Sequence, residues 1–266
     1  MQSIERSENE PPCDWFNGDR NFFGSDYLEE HAKAIAPGPT IAEVDFLERT
    51  LSAAKEGLIL DLGAGHGRHS IELAQRGYDV AALDINGYFL TVGKNNAHKA
   101  NARVLWTLGD FRRLPFRSEA FSALISMFTS FGFLDTDDDD FAVVEDISRV
   151  LRGSGRAVID LINREAVLGN FRDNDHQELP DGTIILDERS FDLMTGRLLH
   201  KRIRISPQGE RDVRFARIRL YALSEIAKLC ERAGLAIADV TGNYQGSPYD
   251  LSSPRCILIL DKREPG

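Results

Sequence analysis

From Asp61 to Gly67 the chain reads Asp-Leu-Gly-Ala-Gly-His-Gly, an acid followed by three alternate glycines. Glycine carries no Cβ, so Gly63 and Gly65, with Ala64 between them, let a backbone turn sharply and pass close beneath a ligand. The residues beyond Gly67 have helical spacing, and a helix that starts there offers its first amides to the same ligand. A strand-to-helix turn of this kind points to a nucleotide-like molecule. A phosphate-gripping loop would end in Gly-Lys-Ser/Thr, whereas this one ends Gly67-Arg68-His69. A dinucleotide fingerprint would place its third glycine at 68, where Arg68 stands. Asp84, with Ile85 beside it, ends a second apolar run, and a carboxylate there can accept both hydroxyls of a ribose; this suits several nucleotides equally.

Other chemistry-bearing residues are dispersed. The six histidines hold one close pair, His66 and His69, without a Cys or Glu at ligand spacing, so no metal is expected. The acidic run 135–140 lacks the glycine and closing glutamate of a calcium loop, and reads instead as carboxylates complementing a helix dipole. Between 197 and 219 eight basic side chains face two acidic ones. That stretch is either a solvated face or a place where Arg202, Arg204, Arg217 and Arg219 hold an anionic acceptor.

The elements that must position these residues alternate. Apolar runs at 58–62, 80–84, 103–108, 121–128 and 155–162 are separated by helical patterns at 68–76, 87–100 and 138–151. Strands that are apolar along their whole length, each followed by a helix, predict a parallel sheet covered on both faces. An earlier helix over 40–51 would be capped by Thr40. After Asn163 the alternation gives way to three runs with glycine-containing turns, 183–192, 197–206 and 211–221, which predict antiparallel strands. A helix over 224–233, capped by Ser224, and strands at 235–240 and 256–260 close the pattern. The expected architecture is α/β, a doubly wound, seven-stranded, mostly parallel sheet with a small antiparallel insert. Its expected divisions are an N-terminal arm and lid over 1–40, a cofactor-binding domain over 41–163 and 222–262, and an insert over 164–221 lying above the active site.

The 266 residues carry a formal charge of −10, which works against binding a nucleic-acid phosphate backbone. No stretch reaches the ~18 apolar residues of a membrane helix, and the N-terminus lacks an export signal's pattern. Three widely spaced cysteines form no disulfide framework, so a soluble cytoplasmic chain, monomeric or homodimeric, is expected.

The acid and its three glycines resemble the first motif of the class I S-adenosylmethionine-dependent methyltransferases. The resemblance extends over about residues 20 to 262 and is most specific to a bacterial group acting on small molecules, through 22–28 (FFGSDYL), 129–133 (TSFGF), 219–225 (RLYALSE) and 242–255 (GNYQGSPYDLSSPR). It implies a Rossmann-like fold, S-adenosylmethionine as cofactor, and methyl transfer to N or O of a small molecule. It also implies that Asp110 and Phe111 meet the adenine and that Met127 and Phe128 lie beside the sulfonium. Acceptor-site candidates are Tyr244, Tyr249 and Arg255, with Arg202, Arg204 and Arg219 for an anionic group. Tyr27 and His31 lie in the segment that covers the cofactor in similar proteins and could orient or deprotonate the acceptor; in many of them a second Tyr stands where His31 is found. A nicotinamide-dependent oxidoreductase and a non-catalytic cofactor-binding module remain the competing classes.

Overall fold

The computed structural model describes residues 22–24, 26–51 and 57–263, so most of the expected N-terminal arm lies outside the described residues. The larger of two compact units runs from Leu28 to Phe171 and resumes at Leu220. It starts within a short helix, α1 (Tyr27–Glu30), followed by α2 (Pro37–Thr50). Strand and helix then alternate through β1 (Leu58–Leu62), α3 (Arg68–Gln75), β2 (Asp79–Asp84), α4 (Gly87–Lys99), β3 (Val104–Leu108), β4 (Phe121–Ser126), α5 (Asp137–Val150), β5 (Leu151–Ile162) and α6 (Arg164–Gly169). The smaller unit joins the N-terminal segment through Tyr27 to Arg172–Arg219. It holds β6 (Asn174–Glu178), β7 (Ile184–Asp192), β8 (Arg197–Ile205) and β9 (Arg211–Arg219). The chain finishes in the larger unit with α7 (Leu223–Arg232), β10 (Leu235–Thr241) and β11 (Arg255–Lys262).

The seven strands of the larger unit take the order β10-β11-β5-β4-β1-β2-β3, with β11 alone antiparallel to its neighbours. The chain travels from β1 outward to β3, then restarts at β4 on the other side of β1. The gap beyond the carboxyl ends of β1 and β4 is therefore where the strand order reverses, the place where open α/β sheets bind ligands. Alternate strand residues feed two apolar layers. Leu60, Leu62, Leu124 and Ile159 pack on one face with Val144 and Ile147 of α5, while Ile59, Ala123, Ile125 and Val158 pack on the other with Val44 and Leu47 of α2. Burial on both faces explains the unbroken apolar runs in the sequence.

Helix ends differ from expectation in two places. Thr40 is not the cap of α2; the helix starts at Pro37, which needs no amide partner at that position, and the Thr40 hydroxyl donates back to the Ala36 carbonyl at 3.0 Å. Ser224 likewise lies inside α7, where the Glu225 carboxylate reaches back to the Ala222 amide at 2.8 Å. The acid-rich run does start a helix, and Thr136 caps it by accepting the Asp139 amide. Its last acid, Asp140, is not a solvated charge: it is fully buried and accepts the Tyr221 hydroxyl at 2.7 Å.

The insert has four strands, in the order β6-β7-β8-β9, one more than the pattern predicts. All five residues of β6 are exposed, so the sequence carries no apolar alternation there. Among the described residues no helix is long and apolar enough to cross a membrane. Leu124 sits fully buried at the centre of β4. Leu124→Ala should lower the unfolding free energy by about 2–5 kcal/mol in urea denaturation, the range for an unfilled core cavity; a loss under ~1 would mean that the layers close over the gap.

Candidate functional site

The turn after β1 is left-handed at all three glycines, with φ of 76° at Gly63, 56° at Gly65 and 74° at Gly67. Close packing adds a second reason for two of them. A Cβ on Gly63 would fall 2.7 Å from the Phe111 ring and would also overlap Ser130, and one on Gly67 would overlap the Trp106 ring. Gly65 differs: the nearest atom to its Cβ position is in Phe89 at 3.9 Å, so that side of the turn is open for a ligand. Helix α3 then starts from Gly67 without a side-chain cap.

Hydrogen bonds weld this turn to the end of β2. The Gly63 and Ala64 amides donate to the Leu83 carbonyl at 2.9 and 3.0 Å, and the Gly65 amide donates to Asp84 Oδ2 at 2.6 Å. Asp84 Oδ1 accepts the Asn86 amide at 2.7 Å. Burial pushes the Asp84 carboxyl up to about 6 despite these backbone donors. Such a group gains from any further donor, which is the condition a ribose diol meets. Asp61, deeper on β1, accepts the Ser70 hydroxyl at 2.6 Å, and burial raises its carboxyl as well. The Gly109 amide donates to the Asp84 carbonyl at 3.0 Å, which brings Asp110 and Phe111 to the same end of the sheet. Asp110 is partly exposed and paired with Arg112; burial opposes its charge, but the Arg112 bonds hold the carboxyl below its ordinary value. Asp84 and Phe111 thus meet the glycine turn, with Ile85 and Asp110 beside them in the chain.

The turn after β4 is the less expected half. Met127 is buried, and Phe128 and Thr129 are both left-handed, with φ of 58° and 63°. Such a conformation is uncommon for any side-chain-bearing residue and costly for a β-branched one. Asp160, fully buried on β5, holds it: Oδ2 accepts the Phe128 amide at 2.8 Å, and its backbone carbonyl accepts the Thr129 amide at 3.0 Å. The same carboxylate accepts the Tyr244 hydroxyl on Oδ2 and Arg255 Nε on Oδ1, each at 2.7 Å. Arg255 Nη2 also donates to Thr129 Oγ1 at 2.6 Å. The expectation that Tyr244 and Arg255 face an acceptor therefore changes, because the hydroxyl proton and the guanidinium are both committed to Asp160. Burial, and then the Asp160 charge, push the Tyr244 phenol well above its ordinary value, so it is no proton acceptor at neutral pH. Tyr249 donates its hydroxyl within the Asn163 and Glu165 side-chain pair at the start of α6.

A further buried carboxylate comes from α2. Glu43 of α2 pairs with Arg68 and accepts from His69 Nε2 at 2.7 Å, while Arg68 Nη1 donates to Thr40 Oγ1 at 3.0 Å. Burial raises the Glu43 carboxyl, but His69 and Arg68 overcome it and hold it below its ordinary value. His66, inside the glycine turn, is pushed down to about 4 by burial and by the charges of Arg68 and His69, so its ring is neutral at pH 7. The guanidiniums of Arg68 and Arg255 lie over the Phe128 ring, 5.4 and 5.6 Å from its centre. Glu43, Ser130, Trp106 and Asp160 were not singled out from sequence. Asp160 carried a readable signal: like Asp61 and Asp84 it is a lone acid in an apolar strand.

The remaining candidates divide between the units. His31 belongs to the larger one, and Tyr27 to the smaller, edge-on to Phe23 at 5.0 Å. Within the insert, register decides the arginines. Arg197 of β8 lies opposite Arg219 of β9, and Arg202 lies opposite Arg214. Arg202 and Arg204 therefore share one face, as alternation predicts, whereas Arg217 and Arg219 occupy the other, so the four cannot form one anion site. Arg202 makes a two-pronged pair with Asp187, and Arg214 bridges Asp212 and Asp26. Arg204 lies 3.8 Å from Asp26. Phe22 packs over Arg202 and against His200, so the described N-terminal segment completes this face of the small sheet.

Residues 59–155 match the family model described as a methyltransferase domain. The glycine/sarcosine N-methyltransferase of Aphanothece halophytica is 28% identical over 139 residues, which are 52% of this chain and 50% of that protein. The match thus spans half the length of that relative. Among solved structures, the CcbJ methyltransferase from Streptomyces caelestis aligns with a TM-score of 0.74 at 21% identity, covering 84% of this chain and 89% of that one. The sugar N-methyltransferase KedS8 from Streptoalloteichus aligns with a TM-score of 0.68 at 17% identity, covering 99% of both chains. At such identities the structural likeness is one of fold.

The packing at Gly67 yields a direct test. A Cβ there meets both a left-handed backbone and the Trp106 ring. Gly67→Ala should cost about 1–3 kcal/mol of stability by chemical denaturation, whereas Gly77→Ala, left-handed but with open space, should cost about 1. Equal losses would mean that Trp106 yields without strain.

Proposed function

We propose, on the premise that the chain carries a class I S-adenosylmethionine-dependent methyltransferase domain, that it transfers the sulfonium methyl group to a nitrogen or oxygen of a small-molecule acceptor. The observation that carries this reading is the gathering of the open glycine turn, the Asp84 carboxylate and Asp110 at the carboxyl ends of β1, β2 and β3. These residues fit the cofactor. Asp84 accepts the ribose hydroxyls, Asp110 takes the adenine amino group with Phe111 beside the ring, and the glycine turn lies under the amino-acid end. Bound S-adenosylmethionine supplies an electrophilic methyl group, so the protein's task is to align an acceptor lone pair and exclude water. Neutral groups suit that task. The His66 ring carries no charge at pH 7, and in this reading Met127 and Phe128 lie beside the sulfonium.

Nitrogen is the favoured nucleophile, because two of the similar proteins are named as N-methyltransferases, one of glycine and sarcosine and one of a sugar, whereas the demethylmenaquinone methyltransferases match over only 38% of this chain. The competing nicotinamide reading is disfavoured at position 68, where the arginine is held by Glu43 and Thr40 in place of a glycine. Calorimetry with S-adenosylmethionine, S-adenosylhomocysteine and NADH tests the assignment. Micromolar binding of the first two is expected, and tight NADH binding with no response to the sulfonium would overturn it. Amino acids and amino sugars are then the first acceptors to screen for S-adenosylhomocysteine release.

The raised Asp84 carboxyl adds a pH signature. Hydroxyl donors favour its charged form, so binding lowers a carboxyl that sits at about 6 in the free protein. Affinity for S-adenosylhomocysteine should therefore be full above that value and fall several-fold as pH drops from about 7.5 to about 5. In Asp84→Asn the dependence should flatten, and at neutral pH Asp84→Ala should weaken binding by about 1.5–3 kcal/mol. A wild-type affinity independent of pH would remove Asp84 from the ribose site.

A further inference from the structure

We propose that Asp160, with Tyr244 and Arg255, is a positioning device that holds the Phe128–Thr129 turn left-handed and, through Ser130, fixes the glycine turn for the cofactor. This rests on the cofactor reading above and assigns it residues outside the cofactor motifs. Two consecutive side-chain-bearing residues with positive φ do not keep that conformation unaided, and here one of them is a threonine. Every bond that opposes their relaxation comes from the same source. Asp160 takes the Phe128 amide on its carboxylate and the Thr129 amide on its carbonyl, and Arg255 reaches from Asp160 to the Thr129 hydroxyl. Arg255 starts β11, and Tyr244 stands in the connection that follows β10, so the far edge of the sheet is anchored to the turn after β4.

The turn in turn meets the glycine loop. Ser130 Oγ lies 3.1 Å from both the Gly63 and the Met127 carbonyl oxygens and donates its proton to one or the other. Gly63 is packed so closely against Ser130 and Phe111 that it has no room for a Cβ. If Phe128 and Thr129 relaxed to negative φ, Ser130 would swing and Gly63 would lose its neighbour. The carboxylate is suited to this role because it is fully buried and its bonds are met by a guanidinium, a phenol and a backbone amide, which leave it little freedom to move.

The test compares S-adenosylhomocysteine affinity, by calorimetry, with thermal stability in wild type, Tyr244→Phe and Asp160→Asn, each also in a Thr129→Gly background. Glycine accepts positive φ without steric cost, so it relieves the turn of its need for a holder. Tyr244→Phe should weaken binding about threefold to tenfold and Asp160→Asn more than tenfold. In the Thr129→Gly background each loss should shrink to a third or less. A purely structural role would lower the melting temperature of the single variants while leaving affinity within twofold of wild type, and that result overturns the proposal. Losses of equal size in both backgrounds overturn it too. Should Asp160→Asn not fold, the Tyr244→Phe pair decides alone. Failure of the wild-type protein to bind the nucleoside at all would instead count against the methyltransferase reading.

Discussion

A carboxylate removed from water must be given donors, and beside Asp140 of α5 this fold buries four more, Asp61, Asp84, Asp160 and Glu43, whose donors come largely from turns and helix starts. Asp84 takes the Gly65 and Asn86 amides, Asp160 the Phe128 amide, and Asp61 the Ser70 hydroxyl, while Glu43 gathers Arg68 and His69. The loops beyond the strands are shaped by this requirement. Moving a loop would strip a buried charge of its bonds, so the loops are held more firmly than their glycine content suggests.

That constraint accounts for the site's character. Asp61, Asp84 and Asp160 sit on β1, β2 and β5, close to the switch in strand order, and their donors are backbone amides together with Ser70, Tyr244 and Arg255. Around the glycine turn and the Phe128 turn the acids are already partnered, by backbone amides or by Arg68, Arg112 and Arg255. Acids partnered in this way offer little for proton transfer. Methyl transfer from a sulfonium asks for little more than alignment of donor and acceptor.

The insert follows different physics. Its small sheet sets Arg202, Arg204 and Arg214 among Asp187, Asp212 and Asp26 on one side, with Phe22 packed over Arg202. Asp187 is held well below the ordinary carboxylate range, since His200 and Arg202 outweigh its burial. The basic count read from sequence was real, but much of that charge is neutralised within the sheet. Neighbours along the chain do not reveal this, because Asp187 and Arg202 lie fifteen residues apart and Asp26 and Arg214 are separated by most of the molecule.

The parallel sheet, the glycine turn and the acids at the ends of β2 and β3 are legible from the amino-acid order alone. Each is written in local spacing: apolar runs of strand length, glycines at every second position, a lone acid where a strand stops. Helix starts were less legible. Thr40 and Ser224 have the right chemistry for caps, yet Pro37 and the Glu225 side chain decide where α2 and α7 begin. Only the tertiary structure decided that Tyr244 and Arg255 turn inward to Asp160 and that Arg219 faces away from Arg202, because both depend on strands far apart in sequence lying side by side. Local preference fixes what a segment becomes, while the pairing of distant segments fixes which side chains meet, and a buried charge keeps whichever donors that pairing brings to it.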